Sequence, residues 1–325
     1  MKTYLSFLLF SLPLLTIAQY TDVINSNRPG VSQSAYAVGH NVVQLEAGPY
    51  YTSENHTPLE YDVKGFGVDF AGRYGLLWEP LEIMINGTFQ RDKYSDNRSA
   101  ISQDYTRSNF KNLTLGAKYL IYDPHKNAVE EKPNLYSWKA NRKFKWSRLI
   151  PAVSVFAGAN YDTEDNPYTA PGVEGVSAKV VLITQHNFSN GWVFVMNFMG
   201  DRIGSDDFSQ QYIFTLTHGF NEKWVAFGEY QAINSDFYAD DLFRLGGAYL
   251  LSKNLQLDTA ITFNTKDTPS VFNVNFGASY RLDFHKDQDP EENGTSAEQE
   301  AERRNNKNQD FEDNNSSSDF LIPED

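Results

Sequence analysis

Residues 64–78 read KGFGVDFAGRYGLLW. Phe66, Val68, Phe70, Tyr74 and Leu76 fall at one parity, and Gly65, Gly67, Asp69, Ala71, Arg73 and Gly75 at the other. A period of two is what a strand with one apolar face shows, whereas a helix would scatter the same residues around its circumference. The face opposite the aromatics carries an aspartate and an arginine. In a soluble sandwich that face meets water; in a lipid-embedded barrel it lines the lumen. One strand cannot separate the two, so the number and length of the strands decide.

Alternating segments recur at 42–51, 64–77, 81–90, 110–122, 150–161, 176–188, 192–202, 211–220, 224–233, 242–251, 255–264 and 272–283. A tilted strand needs about ten residues to cross the hydrocarbon layer, while strands of soluble proteins centre on about five or six. The pattern therefore predicts an all-β fold, a transmembrane up-and-down antiparallel β-barrel of about 12 strands. The connections WEPL, FSNGW, FNEKW and LSKNL are short and rich in turn formers. Longer polar stretches such as TSENHTPLEYDV, RDKYSDNRSAISQDYTRSN and DTEDNPYTAPGVEG alternate with them and predict loops at the outer end. The connection at 123–148 breaks the rule, being long on the short-turn side.

Composition agrees with a membrane barrel. The chain opens with MKTYLSFLLFSLPLLTIAQ, in which Lys2 precedes an apolar run interrupted by Pro13. That is the pattern of a secretory signal peptide over residues 1–18, too short for a membrane helix of about 20 residues. There is no cysteine, so neither disulfides nor cysteine metal sites are open to it. Aromatic residues make up 14% of the chain, and Tyr50, Tyr51, Trp78, Tyr119, Tyr122, Tyr161, Trp192, Trp224, Tyr230 and Tyr280 lie near predicted strand ends. Rings of this kind form girdles at the two membrane interfaces.

Parity then nominates the inner face. Gln44 and Glu46 share one face of the first strand, Asp69 and Arg73 of the second, Glu82, Asn86 and Gln90 of the third. Lys118, Lys179, Gln185, Glu229, Gln231, Arg244, Gln256, Asp258 and Arg281 continue the series on later strands. Such charges either pair into a network filling the lumen or line a solute path. Arg28, before the first strand and followed by Pro29 and Gly30, is placed to fold inward and pair with Glu46, making residues 19–40 a periplasmic lead-in or plug.

The segment TDVINSNRPGVSQSAYAVGHNVVQLEAGPYY resembles the opening of the outer-membrane barrels of the phenol-degradation meta-pathway transporter family, common in Bacteroidetes. Arg28 and Pro29 match that opening, with Asn27 where an aspartate is usual, and Gln44, Glu46 and Gly48 follow in the first strand. The closing hairpin up to RLDF is also similar to that family's ending. The resemblance implies a barrel over residues 41–284 and passage of small apolar or aromatic solutes.

None of the six histidines sits in a zinc-binding spacing, and no Ser–His pair is marked out, so neither a metal, a cofactor nor an enzyme is expected. The acidic doublets Glu164–Asp165, Asp206–Asp207 and Asp240–Asp241 fall in predicted outer loops, where they would bridge cations to lipopolysaccharide or stay solvated. A net charge of −14 argues against nucleic acid as a partner and leaves outer-membrane lipid and lipopolysaccharide. Residues 285–325 carry 13 acidic side chains against four Lys or Arg, the composition of a disordered tail. The tail ends in Phe320, Leu321, Ile322 and Pro323, an apolar motif suited to docking on a periplasmic or barrel partner. Two functions are thus expected: a narrow small-solute channel of the Gram-negative outer membrane with both termini periplasmic, or a non-transporting accessory subunit that docks through this tail.

Overall fold

The computed structural model describes residues 23–124, 150–188 and 191–284. The signal sequence, nearly all of the 123–148 connection and the tail with its Phe320–Pro323 motif lie outside the described residues.

Twelve strands run β1 (Val42–His56), β2 (Tyr61–Gly75), β3 (Leu81–Asp96), β4 (Gln103–Tyr122), β5 (Ala152–Asp162) and β6 (Gly175–Asn187), then β7 (Trp192–Ile203), β8 (Ser209–Gly219), β9 (Trp224–Asn234), β10 (Ala239–Ser252), β11 (Leu255–Asn264) and β12 (Ser270–Asp283). Each pairs antiparallel with its sequence neighbours, and β12 closes on β1 through a register that runs from Val42↔Asp283 to Asn55↔Ser270. Closure leaves no sheet edge along the paired lengths, as a backbone in hydrocarbon requires. Among the described residues no helix is long and apolar enough to cross a membrane.

The alternation maps onto the two faces as expected. Leu45, Phe66, Val68, Ile85, Leu115, Val180, Leu182, Leu245 and Phe276 all point outward and are exposed, while Gln44, Glu46, Arg73, Glu82 and Lys118 are buried. An apolar outside around a charged inside is a membrane barrel turned toward lipid. Trp78, Trp192, Trp224 and Tyr280 are exposed near strand ends and fit the girdles. Tyr50 does not: it faces inward at 8% exposure, and its hydroxyl donates to Gln90 Oε1 at 2.7 Å. Its parity with Gln44 and Glu46 puts it there, and Tyr51 takes the outer position.

The predicted outer loops are the main departure. Most of 52–63 and of 91–109 is strand, leaving connections of only 57–60 and 97–102. These polar stretches extend β1–β4 because their inner face carries its own ladder, with Tyr61, Tyr94 and Tyr105 stacked at centroid distances of 4.9 Å and Arg107 over Tyr94. Cross-strand aromatic pairs of this kind stabilise pairing where no lipid contact would. The acidic doublets also divide: Asp207 is buried and faces Arg202 at 3.9 Å, and Asp240 is buried and accepts from Asn264 at 2.9 Å and from Tyr238. Asp241 points outward to the Tyr230 hydroxyl at 2.6 Å. Adjacent residues of a strand alternate sides, so a doublet there cannot act as one chelating pair.

Candidate functional site

The segment before β1 does not hang below the barrel; it circles inside it. Ser26 Oγ meets Ser279 Oγ of β12 at 2.7 Å, and Arg28 pairs with Asp258 of β11 at 3.2 Å. The backbone N–H groups of Val31 and Ser32 donate to the Glu229 carboxylate of β9, and Thr215 of β8 donates to Ser32 Oγ at 2.8 Å. Gln33 exchanges backbone bonds with the Asn197 amide of β7 at 2.6 and 3.0 Å. Ser34 and Ala35 donate to Gln185 Oε1 of β6, and Ser154 of β5 donates to the Ala35 carbonyl. Lys118 of β4 holds the carbonyls of Ser34 and Tyr36 at 2.9 and 3.0 Å, and Val38 N–H donates to Glu82 of β3 at 2.9 Å. Asn25 and Asn27, where the segment begins, bond Gln44, Arg73 and Glu46 of β1 and β2.

The chain thus visits the strands in descending order, β12 to β3, omitting only β10, and then enters β1. Ser26 to Val38 extended would span about 40 Å, enough to follow an inner circumference. We call this segment the collar. Its polar groups have left water, and each that the wall satisfies avoids a penalty of about 1–3 kcal/mol.

Parity found most of the wall that holds it. Gln44, Glu46, Arg73, Glu82, Lys118, Gln185, Glu229, Gln256 and Asp258 all bond the collar or each other. Arg73 is enclosed by Glu82 at 2.8 Å and Glu46 at 3.4 Å, and Lys118 reaches Glu82 at 3.4 Å. Arg244 of β10 forms no hydrogen bond to the collar among the described residues but steadies Glu229 at 3.0 Å. Arg281 is buried beside Asp283 at 3.3 Å. Lys179, Asp69 and Asn86 sit farther up the barrel: Lys179 pairs with Asp201 at 3.4 Å, and Asp69 accepts from Thr88. Gln231 is likewise clear of the collar, bonded to Gln211 at 2.8 Å.

Arg28 corrects the sequence reading. It pairs with Asp258, not Glu46, and Glu46 accepts from the Asn27 backbone instead. The guanidinium lies against Gly48 of β1 and Gly277 of β12, where any Cβ would collide with it. Two missing side chains open the wall where it sits, and Asp258 stands opposite Gly277 beside that gap.

Sequence reasoning missed the next ring. Two residues beyond the uppermost collar-binding position of most strands, toward the end away from the short turns, the wall is small or apolar. Glu46 is followed by Gly48, Arg73 by Ala71, Glu82 by Met84 and Lys118 by Gly116. Ser154 gives way to Phe156, Gln185 to Ile183, Asn197 to Met199 and Thr215 to Ile213, and Asp258 and Ser279 to Ala260 and Gly277. On β9 the position is Gln231, which breaks the ring. Ala35 of the collar packs with Met84, Phe156, Ile183 and Val181, all at most 2% exposed. In VVLIT both faces of β6 are apolar, so its inner residues carried no contrast by which to be recognised.

Residues 26–282 match the model of the family described as "Putative MetA-pathway of phenol degradation". The chain belongs to that family. Its members' sequence pattern therefore spans the collar and every strand. Among solved structures, an outer membrane channel from Pseudomonas putida F1 is similar at 11% identity, covering 77% of this chain and 99% of that one, with a TM-score of 0.51. The translocator domain of the autotransporter NalP from Neisseria meningitidis covers 74% and 88% at 9% identity, TM-score 0.46. The Pseudomonas putida toluene transporter TodX covers 76% and 91% at 9% identity, TM-score 0.41. No curated protein matches the chain by sequence.

Proposed function

We propose that this family member is a narrow outer-membrane channel for small apolar or aromatic solutes, closed by its collar in the state described here. The observation that carries the reading is the stacking of two rings: a polar ring satisfied by the collar backbone, and directly beyond it a small and apolar ring capped by Ala35. With the collar in place, the passage is a filled core. With it withdrawn, a solute meets Met84, Phe156, Ile183, Met199 and Ile213, which offer apolar contact and no charge. The family's association with phenol degradation supports an aromatic solute, and the likeness to the Pseudomonas putida F1 outer membrane channel supports a channel.

The absence of native cysteine makes a direct test available. Ser26 and Ser279 hold their hydroxyls 2.7 Å apart, so a Ser26→Cys/Ser279→Cys pair would bring two thiols together for oxidation. In planar bilayers the oxidised pair is expected to lower open probability at least tenfold relative to its own reduced form. Equal conductance before and after reduction would mean that the collar does not gate, and no conductance in any form would remove the channel reading.

A further inference from the structure

On the outer face of the barrel, at the end away from the short turns, the apolar wall stops at a cationic row. Lys64 of β2 stands directly opposite Lys93 of β3, flanked by Ser53 of β1 and Thr106 of β4. One step toward the membrane the row is Tyr51, Phe66, Arg91 and Ser108, and one further it is Pro49, Val68, Phe89 and Phe110. Phe66 is 69% exposed and packs on Tyr51 at 5.3 Å, while Phe89 meets Phe110 at 5.3 Å.

Like charges directly opposite across two strands destabilise the pairing. Among the described residues Lys64 and Arg91 form no salt bridge; of the two acids in the row above, Asp62 accepts from Asn55 at 2.6 Å and Asn97 at 2.9 Å, and Asp104 takes Lys93 at 2.7 Å with both side chains well exposed. A pair of that exposure stabilises little, and Lys64 and Arg91 form no ion pair of their own among the described residues. Tyr51, Lys64, Phe66, Arg91, Lys93 and Thr106 line an open hollow of about 310 Å³ together with Gly65 and Asp92, whose carboxylate is taken by Arg107 at 2.8 Å. Charge above, hydroxyls at the sides and aromatic rings below form the profile of a site for a phosphorylated sugar headgroup whose acyl chains run down the wall.

We propose that this hollow binds the phosphorylated glucosamine headgroup of lipid A, with Lys64, Arg91 and Lys93 as phosphate ligands and Tyr51 and Phe66 under the first acyl carbons. The proposal rests on the outer-membrane reading above, which puts this end of β1–β4 in the lipopolysaccharide leaflet. Two monovalent donors and a guanidinium, held on paired strands, suit a dianionic phosphate better than the single charge of a glycerophospholipid.

The test uses the full mature chain in neutral detergent, titrated with diphosphoryl lipid A, monophosphoryl lipid A and phosphatidylglycerol and read by native mass spectrometry. Wild type is expected to bind diphosphoryl lipid A at least tenfold more tightly than phosphatidylglycerol. Lys64→Gln/Arg91→Gln/Lys93→Gln is expected to lose at least tenfold of that affinity, and Arg91→Gln alone a smaller part, should the triple variant fold poorly. Equal binding of lipid A and phosphatidylglycerol by wild type, or unchanged binding by folded variants, would overturn it. Conductance of the same variants separates the two readings: a conducting barrel that ignores lipid A removes this site alone, and a lipid A binder that never conducts removes the channel alone.

Discussion

The Arg28 guanidinium lies 3.2 Å from the Asp258 carboxylate, in a gap left by two glycines on the strands that close the barrel. Both partners are nearly buried, at 9% and 0% side-chain exposure. Breaking a buried pair by removing one partner leaves a charge without compensation and costs about 3–5 kcal/mol. Arg28→Ala is therefore expected to loosen the collar locally and raise single-channel open probability. Gly277→Val, which evicts the guanidinium without touching its charge, should reproduce that effect. Wild-type gating in Gly277→Val would show that the glycine gap is not what seats Arg28.

Glu82 is the acid shared by Arg73, Lys118 and the Val38 backbone. Glu82→Gln takes the carboxylate from buried Lys118 and leaves buried Arg73 with Glu46 alone. We expect a loss of about 3–5 kcal/mol or more, seen as a lower temperature for the heat-induced shift in electrophoretic mobility. Arg73→Met/Glu82→Met is expected to recover part of it, because the two charges left behind, Lys118 and Glu46, are opposite in sign.

How far the sequence foretold this arrangement depends on whether a strand's two faces differ in chemistry. In β2 and β3, charged and apolar residues alternate, so parity alone assigns Arg73 and Glu82 to the face opposite the aromatics, and both are buried there. In β6 the run from Val180 to Ile183 is apolar on both sides, and Val181 and Ile183 gave no sign that they face inward. The collar's inward course was suggested by Arg28, but its partner was not, because the gap that accepts it is made of glycines brought together only when β12 closes on β1. The polar stretches 52–63 and 91–109 read as loops because polarity normally marks them; their tyrosine ladder makes them wall.

The collar also carries a titratable anchor outside the strands. Burial, reinforced by Asp123 at 3.5 Å, pushes the Tyr36 hydroxyl above its ordinary range. A phenol whose folded value is raised supports the folded collar fully below its unfolded value of about 10 and loses that support as pH rises toward the folded value. Open probability is expected to climb above about pH 10 in wild type. Tyr36→Phe should flatten that climb, and an identical pH profile in the variant would assign it to other groups.

Phe156 probes the apolar ring apart from any charge. It is fully buried at 0% exposure and packs in the cluster that includes Ala35, Met84 and Ile183. Phe156→Ala is expected to cost about 3–5 kcal/mol of stability through lost burial and a residual cavity. Its effect on transport separates two roles. If the ring only seals against Ala35, the variant leaks every small solute, and flux of a small sugar rises with that of toluene. If the ring also binds the solute, toluene flux rises less than sugar flux, because the apolar contact that favours toluene has been removed. Liposome uptake of the two, measured side by side in wild type and Phe156→Ala, should show the second pattern.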